Sequence, residues 1–389
     1  MTNVPERVKV TVVGAGQAGL SVAFYLRRFE LVADEDFVIL DRAPGPGGAW
    51  QHRWSSLRLG TAHRVNDLPG MAELGLSFDT ADRELPAKEV VADYYARFEE
   101  HFDLRVHRPM QVRRVQNDGA DLRIDYEDLS PRPIEEQKTR GFFGRRRRTF
   151  SEVAPPAVPQ HTLHTHFLVN ATGTWGSPFV PFYPGMSEFQ GRHLHTSDFV
   201  DAEDFRDQHV VVVGGGTSAI GFMLELEDVA AGLTWVSRRP IDWLDRQELD
   251  LEGASAAVAK QDEAARSGRA LPSVVSGTGV PKNRRIAAGI ERGLLVARPM
   301  FERIEGDHVV FDDGSTVKAD AIIWATGFRP ELRHLSPLKL REKAGGVTVG
   351  QGAVWSDPRV FLAGYGPQAS TIGANRAGRM IARQIMAML

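Results

Sequence analysis

The stretch VTVVGAGQAGLSVAFYL, residues 10–26, runs from apolar residues into Gly-Ala-Gly-Gln-Ala-Gly and then into a helical pattern that lasts through Leu26. The apolar run from Val8 to Val13 reads as a buried parallel strand, and Phe37–Leu40 is the next one. Strand, glycine turn, helix and strand make a βαβ unit. The three glycines differ in what they permit. Gly14 allows the tight turn, Gly16 lets a pyrophosphate approach the backbone, and Gly19 lets helix and strand pack closely. The unsatisfied N–H groups of the helix start, from Gln17 and Ala18 onward, then face the phosphates. An acid at the end of the second strand takes ribose hydroxyls, and Asp41 stands there, followed by Arg42. Glycines serving only a turn are the plainer alternative, and the register of Asp41 weighs against it.

The same grammar returns at HVVVVGGGTSAIG, residues 209–221. A strand Val210–Val213 meets Gly214–Gly216, a helix begins at Thr217-Ser218-Ala219 and reaches about Ala230, and Leu233–Val236 is the following strand. This strand ends in Ser237, Arg238 and Arg239 instead of an acid. Guanidinium groups there suit a 2′-phosphate, which favours NADPH over NADH. A solvated arginine pair is the competing reading. Two further apolar strands end alike, in Ala171-Thr172-Gly173 and in Ala325-Thr326-Gly327, where glycine lets the backbone turn past a neighbour. Residues 360–389 read as strand, loop and amphipathic helix without a glycine loop, so they complete the first domain. The expected architecture is α/β, with two Rossmann-like dinucleotide-binding domains. The second, 189–324, is inserted into a discontinuous first one, 1–188 and 325–389.

At 389 residues the chain is long enough for two cores. A formal net charge of −3 gives no reason to expect a nucleic acid or an acidic membrane as partner. Zero cysteines exclude disulfides, thiolate metal sites and catalytic thiols together. No signal peptide and no spanning segment are expected, so the reading is a cytoplasmic protein. The Pro-, Arg- and Glu-rich segment 130–160 reads as a mobile insertion, with an anionic contact through Arg145–Arg148 as the minor alternative. Residues 266–281 read as a second surface loop. His161, His164 and His166 enter a strand without Cys or clustered acids, which suits a surface better than a metal site, and no metal is expected.

Ahead of the second loop, Phe189-x-Gly191-xxx-His195-xxx-Phe199 matches the FxGxxxHxxx[YF] fingerprint. With two nested dinucleotide loops, the chain resembles the flavin-containing and N-hydroxylating monooxygenases and their Baeyer–Villiger relatives, which usually end the fingerprint in Trp. Gly47-Gly48-Ala49-Trp50 resembles the family's GGxW segment, and Ala325–Phe328 its ATG[YF] segment. The resemblance covers nearly the whole chain, and the missing cysteines close the related disulfide-reductase branch.

The resemblance implies FAD in the first domain. Its residues there are Gly14, Gly16, Gln17, Ala18, Gly19, Asp41, Arg42, Gly48, Ala49, Trp50, Ala171, Thr172, Gly173, Ser370 and Thr371. It implies NADPH, with NADH second, on Gly214, Gly216, Thr217, Ser218, Ala219, Ser237, Arg238, Arg239, Ala325, Thr326 and Gly327. Phe189, Gly191, His195 and Phe199 link the domains and help to position NADPH. The implied activity is hydride transfer from NADPH to FAD, O2 activation at flavin C4a and oxygenation of a small sulfide, amine or ketone. The cofactor carries that chemistry, so no catalytic triad is needed. An oxidase or electron-transfer reductase is the second reading, and a non-catalytic redox sensor the third. Small-molecule substrate and O2 are the expected partners, and a homodimer is left open.

One departure concerns Gly60, which stands where relatives place an Asn or Asp beside the flavin. His63 and Asn66 are the nearest side chains to take its place, and leaky oxygen activation is the expectation. Trp50, Arg53, Trp54 and Arg58 form an aromatic–basic cluster, divided in this reading between the cavity wall and ordinary packing. The helix that Ser370 and Thr371 open presents its positive end to the anionic edge of reduced flavin.

Overall fold

The computed structural model describes residues 4–62, 65–131, 160–245, 251–272, 279–369 and 371–389. The segment 130–160 therefore falls almost wholly outside the described residues, as do His63 and Ser370.

The first βαβ unit forms as its pattern dictates. Strand β1 (Arg7–Val13) buries Val8, Val10, Val12 and Val13, and pairs in parallel with β2 (Phe37–Leu40), buried along its whole length. Helix α1 (Gln17–Arg28) connects them and buries Leu20, Val22, Ala23 and Leu26. Runs buried on both faces are how a parallel sheet covered by helices stays dry. A helix Ala87–His101 (α2) follows. Next comes an antiparallel hairpin of β3 (Met110–Asp118) and β4 (Asp121–Asp128), an addition to the elements expected from the sequence. Strand β5 (Gln160–Asn170) pairs in parallel with β1 and antiparallel with β4.

The C-terminal residues return to this sheet. Strand Asp357–Leu362 pairs in parallel with β5, and helix Thr371–Met388 packs along α1. The sheet thus takes strands from both ends of the chain.

The second sheet draws only on the middle. Its order is β6 (Arg192–His195), strand Ala321–Trp324, β7 (His209–Val213) and β8 (Gly232–Val236), all parallel. Helix α3 (Thr217–Leu226) joins β7 to β8 and ends four residues before the expected boundary. A small antiparallel sheet, Arg303–Glu305, His308–Val310 and Thr316–Lys318, precedes strand Ala321–Trp324 and is a second addition. Part of the expected loop 266–281 is otherwise built: Arg266 ends a helix from Leu251, and Val280–Pro281 pairs with Trp243–Leu244.

The two crossings between the sheets run side by side. Pro178 bridges Phe328, the Phe179 N–H donates to the Gly327 carbonyl at 3.0 Å, and the Arg329 N–H donates to the Ser177 carbonyl at 2.8 Å. Among the described residues no helix is long and apolar enough to cross a membrane.

Candidate functional site: two dinucleotide loops on one seam

At the first loop the glycines are fixed by collision. Gly14 has φ +101°, and a Cβ there would meet the Ala171 carbonyl oxygen; a Cβ on Gly19 would meet the carbonyl oxygen of Gly14. Gly16 differs. A Cβ on it would meet nothing nearer than the Gly48 Cα at 3.8 Å, so this face is open toward the cavity. Gly16 caps α1 without a side-chain hydrogen bond, leaving the first N–H groups of the helix to a ligand.

The cavity at this loop is lined by Gly14–Ala18, Asp41, Arg42, Gly48–Trp50, Arg53 and Ala171–Gly173, with Trp175, Phe328, Glu331, His334 and Gln368. Ala369 and Ala374, flanking the start of the C-terminal helix, also reach it. Thr371 is the first residue of that helix. Gln17 reaches from α1, donating to Asn375 Oδ1 at 2.8 Å and to the Asn66 carbonyl at 3.1 Å.

Several charges at the cavity are paired. Asp41, 7% exposed, accepts from Arg108 Nε at 2.9 Å, and Arg108 also grips Glu99 at 2.6 and 2.8 Å. Burial pushes the Glu99 carboxyl up, against the pull of Arg108. Arg42 donates to Glu331 at 3.0 Å. His334, buried, lies 2.7 Å from Asn170 Oδ1 by its Nε2, and burial pushes it down to about 4, with Arg42 adding to the effect. Gln368 Oε1 is buried without a partner among the described residues. An open helix end, a glycine-lined face and an unpartnered buried acceptor fit an FAD.

The second loop repeats the geometry. Gly214 has φ +139°, a Cβ on it would meet the Ala325 carbonyl oxygen, and Gly216 caps α3 without a side-chain bond. Ala219 is fully buried in the helix–strand contact. Ser237 turns inward, donating to the Arg239 carbonyl at 2.8 Å. Arg238 and Arg239 are exposed, and their side chains make no hydrogen bond or ion pair with another described residue. Thr217 and Ser218 open α3, where its free N–H groups lie.

The fingerprint residues hold the seam. His195, 3% exposed, donates from Nε2 to the Gly327 carbonyl at 2.9 Å and meets the Phe328 ring edge-on at 4.7 Å. Burial holds His195 below its ordinary value. A Cβ on Gly191 would strike the Asp320 carbonyl and the Phe189 ring. Phe199 lies in the second core, stacked on Phe205 at 5.5 Å and against Phe222 at 4.6 Å. Thr172 Oγ1 donates to the Glu331 carbonyl at 2.8 Å, and Thr326 to the Phe179 carbonyl.

The aromatic–basic cluster divides. Trp50 and Arg53 line the cavity, Arg58 is exposed, and Trp54 enters the second domain's core against Phe199 and Phe222. Gly60 lies outside the cavity lining: its N–H donates to the Arg83 carbonyl at 2.8 Å and its carbonyl accepts from Arg83 Nη2 at 3.3 Å. Its backbone groups are therefore both engaged by Arg83. A side chain there would press on Arg83 at 3.1 Å. Asn66 also lies off the lining, and His63 is outside the described residues. His164 and His166 face Asp118 at 3.0 Å and Asp121 at 3.5 Å, and no metal-holding group of three or more occurs among the described residues.

Arg108, Glu99, Trp175, His334 and Gln368 join the site without having been candidates from sequence. Only Trp175 carries a signal, since it follows the first Ala-Thr-Gly much as Phe328 follows the second, and the two rings stack at 4.9 Å.

The pattern of the pyridine nucleotide-disulphide oxidoreductase family matches residues 8–252. A flavin-containing monooxygenase from Stenotrophomonas maltophilia superposes with a TM-score of 0.74 at 29% identity, over 98% of this chain and 99% of that one. A trimethylamine monooxygenase of Pelagibacter is 26% identical over 91% of this chain and 69% of its own length. An uncharacterized oxidoreductase, CzcO, of Bacillus velezensis is 24% identical over 86% and 85%. With two glycine loops, each closed by an Ala-Thr-Gly strand, and these relatives, the chain belongs to the pyridine nucleotide-disulphide oxidoreductase family and is, within it, a flavoprotein oxidoreductase akin to the flavin monooxygenases.

Proposed function

We propose that the protein is an FAD-dependent, NADPH-using monooxygenase that oxygenates a small molecule. The observation that carries this is the seam: Trp175 from one crossing stacks on Phe328 from the other, beside both Ala-Thr-Gly turns. Two dinucleotides reaching that seam from opposite sheets would bring their redox rings together. When bound, FAD supplies the redox chemistry, accepting two electrons from NADPH and passing them to O2.

The chain's own residues bind, orient and shield. Gly14, Gly16 and Gly19 with the α1 start would cradle the FAD pyrophosphate, and Asp41, held by Arg108, would take its ribose. Gly48–Trp50 and Ala171–Gly173 would pass beside it. Gly214–Ala219 would cradle NADPH, with Arg238 and Arg239 on its 2′-phosphate. His195 fixes the Gly327 turn, and with it the entry of the nicotinamide end. The domain division that goes with these roles is 1–188 with 325–389 for FAD and 189–324 for NADPH, and the implied place of work is the cytoplasm.

An NADPH oxidase is the second reading, favoured by the engagement of both Gly60 backbone groups with Arg83. The test is NADPH-driven turnover with a sulfide, an amine and a ketone. Oxygenated product matched to NADPH consumption supports the monooxygenase, whereas hydrogen peroxide alone supports the oxidase.

A further inference from the structure

Arg53 lines the cavity yet has no role in the cofactor binding described above. Its guanidinium carbon lies 4.4 Å from the centre of the Trp175 ring and 5.7 Å from that of Trp50. Its Nε is buried and meets no acceptor, and no carboxylate among the described residues pairs with it. The other arginines at this cavity are neutralised, Arg42 by Glu331 and Arg108 by Asp41 and Glu99. Burial pushes Arg53 down to about 10, still charged at neutral pH. A partly buried cation without a counter-ion is costly, and aromatic faces offset only part of that cost. Among the described residues Arg53 therefore has no counter-ion.

The shape of the wall says which kind of anion suits Arg53. Trp50, Trp175 and Phe328 put apolar ring surface in the wall, with Trp175 stacked on Phe328 at 4.9 Å and on His52 at 6.1 Å. Burial, then Arg42, holds His52 below its ordinary value, so it adds no second charge at neutral pH. Phosphates have donors elsewhere, at the two helix starts and at Arg238 and Arg239. A guanidinium fork among rings matches a single carboxylate on an apolar body, which it can grip with two parallel bonds.

We propose that Arg53 is the receptor for a substrate carboxylate, and that the substrate is a small organic acid with an apolar or aromatic body. This rests on the flavin-monooxygenase reading and names its substrate class. The coenzyme's phosphate is the other source of an oxyanion, and the experiment separates the two.

The test is equilibrium binding to the FAD-loaded protein, by calorimetry, of phenylacetate and hexanoate, each against its own amide. The same titrations are run on Arg53→Gln and Arg53→Lys, with FAD content and NADPH affinity measured alongside. The expected result is that at least one acid binds about 10-fold or more tighter than its amide. Arg53→Gln should weaken that acid about 10- to 100-fold and Arg53→Lys restore part of it, with FAD content and NADPH affinity unchanged. Acids binding no better than amides, or not at all, would overturn the proposal. So would an Arg53→Gln variant that loses NADPH affinity and keeps the acid, which assigns the anion to the coenzyme. If Arg53→Gln fails to fold, the acid–amide difference in the unmodified protein and the Arg53→Lys titration decide. A protein that retains no FAD, or is not reduced by NADPH, marks failure of the flavin reading itself.

Discussion

In the first sheet, strand β2 is followed by Asp41, 7% exposed and bonded at 2.9 Å to an arginine that also grips Glu99. In the second, strand β8 ends in Ser237 followed by two exposed arginines whose side chains have no partner among the described residues. The glycine turns follow the same logic, yet their surroundings differ. At the first site the acid is held by a buried arginine and lies against the C-terminal helix; at the second the two exposed arginines have no partner among the described residues. An acid already fixed by a buried partner suits a cofactor that stays, and exposed arginines suit an anion that comes and goes.

The comparison breaks most severely at Gly19. Placing valine there drives a side chain into the Gly14 carbonyl, a backbone collision that no rotamer relieves. The expected cost exceeds about 4 kcal/mol, enough to abolish the folded, FAD-containing protein, as circular dichroism and flavin absorbance would report. Gly16→Ala is the sharpening control. Its Cβ meets nothing nearer than 3.8 Å, so the fold should persist while FAD content falls.

Next is Arg108→Ala, which leaves Asp41 and Glu99 buried without their cation. A loss of about 3–5 kcal/mol in chemical unfolding is expected. Arg238→Ala with Arg239→Ala should barely move the unfolding midpoint, since both are exposed. Similar losses in the two variants would erase the distinction between the sites.

A third test uses pH. A histidine in the unfolded chain protonates near 6.5, whereas His334 does so only near about 4. Its contribution is therefore complete above 6.5 and is lost as pH falls from there toward 4, by up to about 3 kcal/mol. His334→Gln should flatten the stability profile across that window; an unchanged slope would place the acid sensitivity elsewhere.

The smallest effect belongs to coenzyme choice. The double alanine change at Arg238 and Arg239 should raise the KM for NADPH about 10- to 100-fold and leave NADH nearly unaffected, as lost charge-assisted bonds dictate. Equal losses with both coenzymes would give these arginines a different role.

What a sequence can show in advance follows from chain distance. Both βαβ units are legible because strand, glycine turn and helix are contiguous, and each element's period is local. The return of residues 360–389 to the first sheet is legible by elimination, since they lack a glycine loop. The pairing of Arg108 with Asp41, 67 positions apart, leaves no local pattern, and neither does the burial of His334 against Asn170. Sequence proximity puts Trp54 in a cluster with Trp50 and Arg53, but its indole packs across the seam in the other domain's core. At Gly60, likewise, a motif position gives the residue but not the contact with Arg83 that occupies its backbone.

The central claim is one resident and one exchanging dinucleotide, joined by electron transfer. The direct measurement adds NADPH without oxygen to the purified protein, then passes it through a desalting column in air. The account predicts that the yellow colour bleaches on NADPH addition and returns in air. FAD should still be bound at one per chain and the nicotinamide coenzyme washed away. Flavin that NADPH leaves yellow, or a column that strips FAD and retains NADP, would contradict it.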